Sequence, residues 1–474
     1  MEIEMSDYFE QLMESPSAVL DNSFDLNFTL SRGEIDAFHK HWVAKRFAEL
    51  KDRILFLGKL AEEHDIDEIT EVDDVLPLLF GHTVYKSYPM SYLERNRFDK
   101  LTKWLAGLIT IDISHVDASA VTGIDEWMDL LDRETPLMLF NSSGTTGKLS
   151  FLPRTREQAT QIAIMTSNML RDWKGAGSRP DMLKQHRPFI NPGYLHGGGT
   201  GQRMAGIQAE LYAGGIENAL FLYPEERMSA DIQSLAGRIR VAEAKGELGS
   251  LEISPALLQR RAEFIARERN RPQAMEVFLN EAIRRFSGQD VYIGAVYGLV
   301  LDWAEDGLKR GRQNIFGSGS FLASGGGTKG RIFPENWQEM IADFLGFSNF
   351  FDMYAMTECT GMAGICEAGK YHLPVTTVPF LLDPRSGSLL PRRDGTTGRF
   401  AFFDLIPETF WAAIITGDKV TMSGWQKSCE CGRTGCYVDK EISRYSAEEG
   451  GDDKVLCSGA PEAHNSALDF LISY

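Results

Sequence analysis

The sequence predicts an α/β fold, and three observations carry that expectation. From about Pro136 onward, apolar stretches recur at strand length, among them PLMLF, NALFLYP and NFFDMYAM. Glycine-rich or polar turns separate them from amphipathic segments such as EQATQIAIMTSNMLRDW, which have helical spacing. Strand and helix or loop then alternate along the chain, the order that builds a parallel sheet with crossover helices.

Residues 1–110 read differently, as a helical region with few strand signals. Ile35, Phe38, Trp42, Phe47, Leu50 and Ile54 recur at mixed three- and four-residue spacing, and Ser31 with Glu34 forms a capping-box pattern ahead of them. Such a stripe is packing rather than chemistry. The expected division is a helical region over 1–110, the α/β body over 111–450 and a short tail over 451–474.

The bulk properties exclude several classes. Hydrophobic residues make up 43% and charged ones 24%, the balance of a soluble globular protein. A formal net charge of −18 leaves no ready basic face for nucleic acid, although nucleotide binding needs only local amides and a few cations. No apolar run reaches membrane-spanning length, and the acidic start MEIEMSDYFEQLMES lacks a signal pattern, so a cytoplasmic location is expected. All six cysteines fall between Cys359 and Cys457. That clustering points to metal ligation or thiol chemistry rather than a disulfide framework.

The sharpest local signal follows the PLMLF strand: Asn141, Ser142, Ser143, Gly144, Thr145, Thr146, Gly147, Lys148. Its glycines free the backbone to wrap a polyanion, and its hydroxyls can donate to phosphate oxygens. Read alone, the same string also suits a flexible Ser/Gly-rich loop. Further strings follow in order: Ser324-Gly325-Gly326-Gly327-Thr328-Lys329, Tyr354-Ala355-Met356-Thr357-Glu358, Gly398-Arg399-Phe400, Thr416-Gly417-Asp418 and Gly451-Asp452-Asp453-Lys454-Val455.

Together these resemble the motifs of the adenylate-forming superfamily of acyl-CoA synthetases, adenylation domains and luciferases, over roughly residues 75–474. The resemblance implies the large domain of that superfamily and an ATP-dependent activation of a carboxylic acid to acyl-AMP. It assigns Ser142 to Lys148 to the phosphates and Ser324, Gly325 and Gly326 to the adenine. Tyr354 would stack on the base and Asp418 would accept from the ribose hydroxyls. Thr357 would donate to the α-phosphate, and Glu358 would hold Mg²⁺, a hard cation that prefers oxygen ligands. Tyr194-Leu195-His196-Gly197-Gly198-Gly199-Thr200 falls where an acyl-pocket wall belongs. There Tyr194, His196 and Gly197 are the candidates, with His196 either orienting the carboxylate or serving as a turn histidine.

Two further features resemble particular branches. Cys366, His372, Cys429 and Cys431 offer three thiols and one imidazole, an ordinary set for structural zinc. The phenylacetate-CoA ligase group has such a site in these two places. Cys436 is the reserve ligand. Beyond the hinge, the sequence given ends at Tyr474, short of the domain that typical acyl-CoA synthetases use to admit CoA. The acyl-protein synthetases of luminous bacteria are likewise short there and pass the acyl group, a fatty one, to a cysteine. Cys457 stands in that region, either as acyl acceptor or as a small buried strand residue. The resemblance therefore implies a fatty-acid-activating ligase with the chain's own cysteine, CoA or a partner reductase downstream. The alternatives are a CoA- or amide-forming ligase and a non-catalytic nucleotide-binding subunit.

Overall fold

In a computed structural model the described residues are 5–143, 148–173, 180–250, 253, 257–258, 261–325, 327 and 331–449. The tail with Cys457, the loop residues Gly144 to Gly147, and Gly326, Thr328 and Lys329 lie outside them.

The N-terminal region supplies α1 (Met5–Glu14), α2 (Arg32–Leu50), α3 (Leu55–Glu63), the short strand β1 (Phe80–Gly81), α4 (Ser91–Glu94) and α5 (Phe98–Ala106). Ser31 and Glu34 close the predicted capping box at the start of α2. Next come α6 (Ile124–Glu134), β2 (Leu137–Ser143), β3 (Leu149–Thr155) and α7 (Arg156–Asp172), the last capped by Thr155 and Gln158 in the same manner. The α/β stretch follows as β4 (Phe189–Gly197), α8 (Thr200–Tyr212), β5 (Ala219–Met228), α9 (Ala230–Lys245), α10 (Arg261–Phe286), β6 (Tyr292–Gly294), α11 (Tyr297–Lys309), β7 (Phe321–Gly325), α12 (Trp337–Leu345) and β8 (Phe350–Tyr354). The chain then turns all-β: β9 (Ala363–Ile365), β10 (Lys370–His372), β11 (Thr377–Leu382), β12 (Thr396–Asp404), β13 (Ala413–Ser423), β14 (Tyr437–Asp439) and β15 (Ser443–Arg444).

Among the described residues, thirteen of these strands form one sheet, ordered β11-β12-β13-β14-β10-β9-β8-β7-β6-β4-β5, with β1 and β15 on β13. The expected parallel sheet is only half of it. β5, β4, β6, β7 and β8 run parallel, because helices carry the chain back between them. From β8 outward to β11 every pairing on that path is antiparallel. Short turns connect several of these strands, as Cys366 to Gly369 connect β9 and β10, and leave no room for crossover helices. β2 and β3 pair with each other in a separate hairpin.

Two large buried clusters hold these layers, beside a small third one along α9 with Ile232, Leu235 and Ile239. One lies between the parallel strands and α10 to α12, with Ile190, Leu222 and Leu322 against Phe278, Trp303 and Phe344. The other is contiguous from Tyr8 and Trp42 in the N-terminal helices through Phe140 and Phe151 of the hairpin to Phe402 and Trp411. Burying such aromatics is worth roughly 2–3 kcal/mol each, provided their polar atoms find partners. Three of them do: the Trp42 indole donates to the Leu12 carbonyl (2.8 Å), that of Trp411 to Leu78 (2.8 Å), and the Tyr85 hydroxyl to Trp411 (2.6 Å), whereas the Tyr8 hydroxyl and the Trp303 indole have no partner among the described residues. Among the described residues, no helix is long and apolar enough to cross a membrane.

Candidate functional site

Ligands of open α/β sheets bind beyond the carboxyl ends of the parallel strands. At those ends this chain places His196 and Gly197 (β4), Ser324 and Gly325 (β7) and Tyr354 (β8), with Thr357 and Glu358 in the turn that follows. The β2–β3 hairpin is drawn to the same place. The Asn141 amide donates to the Gly198 carbonyl at 2.7 Å, and Asn141 also bridges Gly199. A Cβ on Gly198 would fall 2.4 Å from Asn141 Oδ1 and from the Met128 methyl, so only glycine allows this approach. Met128 and Gln233, which receives the Asn141 side-chain amide at 2.6 Å, come from α6 and α9. Those two helices cap one another: Asp231 accepts from the amides of Ile124 (2.8 Å) and Asp125 (3.1 Å), while Asp125 accepts from Ala230 (2.9 Å) and from the Ser229 hydroxyl.

The turn after β8 is held from several sides. Thr357 Oγ1 lies 2.7 Å from Thr200 Oγ1, at the start of α8. The Thr357 carbonyl accepts from Arg154 Nη2 (3.0 Å) and Nε (3.3 Å), while Nη1 donates to Thr360 Oγ1 (3.2 Å). Asp404 takes the Thr360 amide and, at 3.1 Å, the Ile406 amide. Burial lowers the Arg154 guanidinium from its ordinary range and raises the Asp404 carboxyl, and each charge opposes the shift of the other.

Glu358, next in the turn, is half-buried. Burial raises its carboxyl, the Asp418 carboxylate adds to that rise, and Arg154 and Arg444 oppose it. Asp418 is held by the Tyr354 hydroxyl at 2.7 Å and by Arg444, its cross-strand partner on β15, at 3.3 Å. A carboxylate raised by burial and by a second carboxylate is a fitting place for a hard divalent cation.

Other expected site residues divide. Ser142 and Ser143 end β2 beside the described edge of the loop. Ser324 is buried with no hydrogen-bond partner for its hydroxyl among the described residues. Tyr194 stacks on Tyr223 with centroids 4.4 Å apart, and His196 is exposed. Lys148 is engaged by the N-terminal region: its ammonium donates to the Tyr88 carbonyl at 2.7 Å and lies over that ring.

The four proposed metal ligands do come together. Their ligand atoms all lie within 4.8 Å of one another, with Cys366 Sγ 4.0 Å from Cys429 Sγ and Cys431 Sγ 3.3 Å from His372 Nε2. Tetrahedral zinc with bonds of about 2.3 Å would set neighbouring sulfurs about 3.8 Å apart, so the donor set and its span fit that ion. Burial and Arg433 lower the His372 imidazole to about 3, and burial pushes the Cys429 thiol up to about 12, so a cation bound here would have to displace the thiol protons. Gly432, at φ +87°, lets the Cys429–Arg433 turn fold back on itself. Cys436 points elsewhere, to Arg32 at 3.6 Å.

Thr200 ended the Tyr194–Thr200 string without being given a role, and Arg154, Asp404 and Arg444 are residues around the site that motif reading passed over. Arg154 alone had a signal, a charge inside the apolar run LSFLPRT.

No protein-family profile and no curated protein matches the sequence. Among solved structures, the chain is similar to an open conformation of 2-hydroxyisobutyryl-CoA ligase in complex with 2-HIB-AMP and CoA. The TM-score is 0.50 at 11% identity, over 88% of this chain and 71% of that one. ATP-bound MatB from Rhodopseudomonas palustris matches with a TM-score of 0.34 at 13% identity, over 64% and 46%. The first likeness bears out the α/β fold expected from the sequence and is a likeness of fold.

Proposed function

We propose that the chain is an ATP-dependent carboxylate ligase that forms acyl-AMP. The observation that carries this reading is the gathering of Thr357, Glu358, Asp418 and Tyr354 at the carboxyl ends of the parallel strands, beside the hairpin that bears the Ser/Gly/Thr loop. A carboxylate oxygen of the acid attacks the α-phosphorus of ATP. The new oxygen–phosphorus bond forms as the bond to the bridging oxygen breaks, and pyrophosphate leaves with that electron pair. Thr357 donates its hydroxyl to an α-phosphate oxygen, where charge builds. Tyr354 packs on the adenine while its hydroxyl fixes Asp418, which accepts from the ribose. Glu358, with a carboxyl already raised beside Asp418, would hold Mg²⁺. That ion neutralises phosphate charge when bound. Tyr194, His196 and Gly197 line the acyl side. Cys366, His372, Cys429 and Cys431 hold structural zinc, since four protein ligands leave no position open for substrate.

The acid is a fatty acid and its acceptor a thiol, by resemblance to the acyl-protein synthetases, with Cys457 as the candidate. CoA is the competing acceptor, because the similar solved structure is a CoA ligase holding an acyl-AMP and CoA. Acid-dependent exchange of pyrophosphate into ATP tests the first step, and its absence with a broad panel of acids rejects the reading. Intact mass after incubation with ATP and those acids then separates an acylated protein from consumption of free CoA.

A further inference from the structure

Arg154 is fully buried, flanked by the rings of Phe140 and Phe410 with its guanidinium 5.9 and 5.5 Å from their centroids. Burying a guanidinium costs several kcal/mol unless its donors are matched. Phe151 and Leu152, earlier on the same strand, fill the core with apolar side chains. Among the described residues, the side-chain hydrogen bonds of Arg154 go to one turn, to the carbonyl of Thr357 and the hydroxyl of Thr360. Asp404 holds the same turn through the Thr360 amide. The turn is thus pinned at its backbone, and among the described residues the polar contact on the Thr357 side chain is the hydroxyl of Thr200.

A threonine hydroxyl has a single proton. If Thr357 gives that proton to a phosphate oxygen, its contact with Thr200 requires Thr200 to be the donor. We infer that Thr200 and Arg154 are positioning residues for Thr357: Arg154 fixes where its backbone stands, and Thr200 fixes the direction in which its hydroxyl donates. The two together aim one hydrogen bond at the reacting phosphate, and donation from Thr200 polarises the Thr357 hydroxyl toward it. Thr200 can do this because it opens α8 directly after the glycines that pack against Asn141, so its place is set by the same approach that brings in the hairpin. This inference rests on the adenylation reading.

The test is pyrophosphate exchange in the full chain with Thr200→Val, Thr200→Ser and Arg154→Lys. Thr200→Val keeps shape and removes the donor. It should lower kcat about tenfold while KM for ATP stays within about twofold, because the lost bond acts at the transition state. Thr200→Ser should recover most of that loss, which a purely packing role would not allow. Arg154→Lys keeps the charge but loses the forked grip, and should lower kcat further, by about 100-fold. Equal kcat in Thr200→Val and the unaltered protein overturns the inference. So does Thr200→Ser as impaired as the valine variant. Absence of exchange in the unaltered protein with every acid instead rejects the adenylation reading and this inference with it.

Discussion

The connections leaving β8 and β9 are neighbours in the chain, yet they build opposite kinds of polar centre. The first carries Thr357 and Glu358, both half-buried, with a carboxyl lifted by burial and by Asp418. The second carries Cys366, which meets His372, Cys429 and Cys431 in a cluster whose members are buried except for the half-buried Cys431. The first is only half-buried and sets two carboxylates against Arg154 and Arg444. The second is closed, with each donor facing another. Its surroundings serve the scaffold: Arg433 sits over Trp173 and pairs with Asp25 and Glu367, and the Thr434 amide donates to Phe28, which ties the N-terminal region to the antiparallel half of the sheet. Proximity along the chain therefore says little about role; the degree of closure does.

If that contrast is right, variants in the first region should cost activity without stability, and variants in the second the reverse. Glu358→Gln is the largest expected effect, a loss of at least about 100-fold in pyrophosphate exchange, because it removes a charged ligand beside the reacting phosphate. Urea unfolding of this variant should match that of the unaltered chain, and wild-type-like exchange would take Glu358 out of the mechanism.

Next is Cys429→Ser. It should abolish zinc binding, measured by elemental analysis of protein purified without chelator, and lower stability by roughly 3 kcal/mol or more. Metal-free unaltered protein would break the comparison at its closed end.

The third expectation concerns the anchor between α2 and the antiparallel half. His39 Nε2 meets the Val375 carbonyl at 2.8 Å. Burial lowers this imidazole to about 4, with the Val375 hydrogen bond opposing, and Arg32, Asp36 and Arg392 are the charges around it. An unfolded histidine titrates near 6.5, so the folded state binds fewer protons. The contribution is fully present above about pH 6.5 and is lost as the pH falls toward 4, by about 3 kcal/mol. Unfolding free energies of the unaltered chain and of His39→Gln should accordingly converge or cross as the pH drops through that window; parallel profiles would show that His39 is not held neutral. Smallest is Ser31→Ala, which removes the cap of α2 and should cost about 1 kcal/mol with exchange per folded molecule unchanged.

Much of this was legible in the chain. The α2 cap, the two strands flanking the loop after Ser143, the alternation after Pro136 and the two Cys/His strings of the candidate metal cluster are all local, and local strings report backbone preference and donor chemistry directly. Where the reading fell short, the cause was pairing. β11 is buried along its whole length and β12 along its second half, so these antiparallel strands carry the continuous apolar run usual for buried parallel ones, and their pattern does not reveal their pairing. Lys148 sits in a phosphate-loop string, but its ammonium is held by Tyr88, a contact 60 positions away.

Residue pattern sets the element types and the chemistry available at each loop. Which of those loops act on one another depends on how distant strands and helices pack. Arg154 reaches Thr357 across 203 positions and Thr200 reaches it across 157. No local propensity encodes such contacts. They follow from strand order, from the glycines that let β2 lie against the start of α8, and from a buried guanidinium that is tolerable only where its donors find the turn after β8.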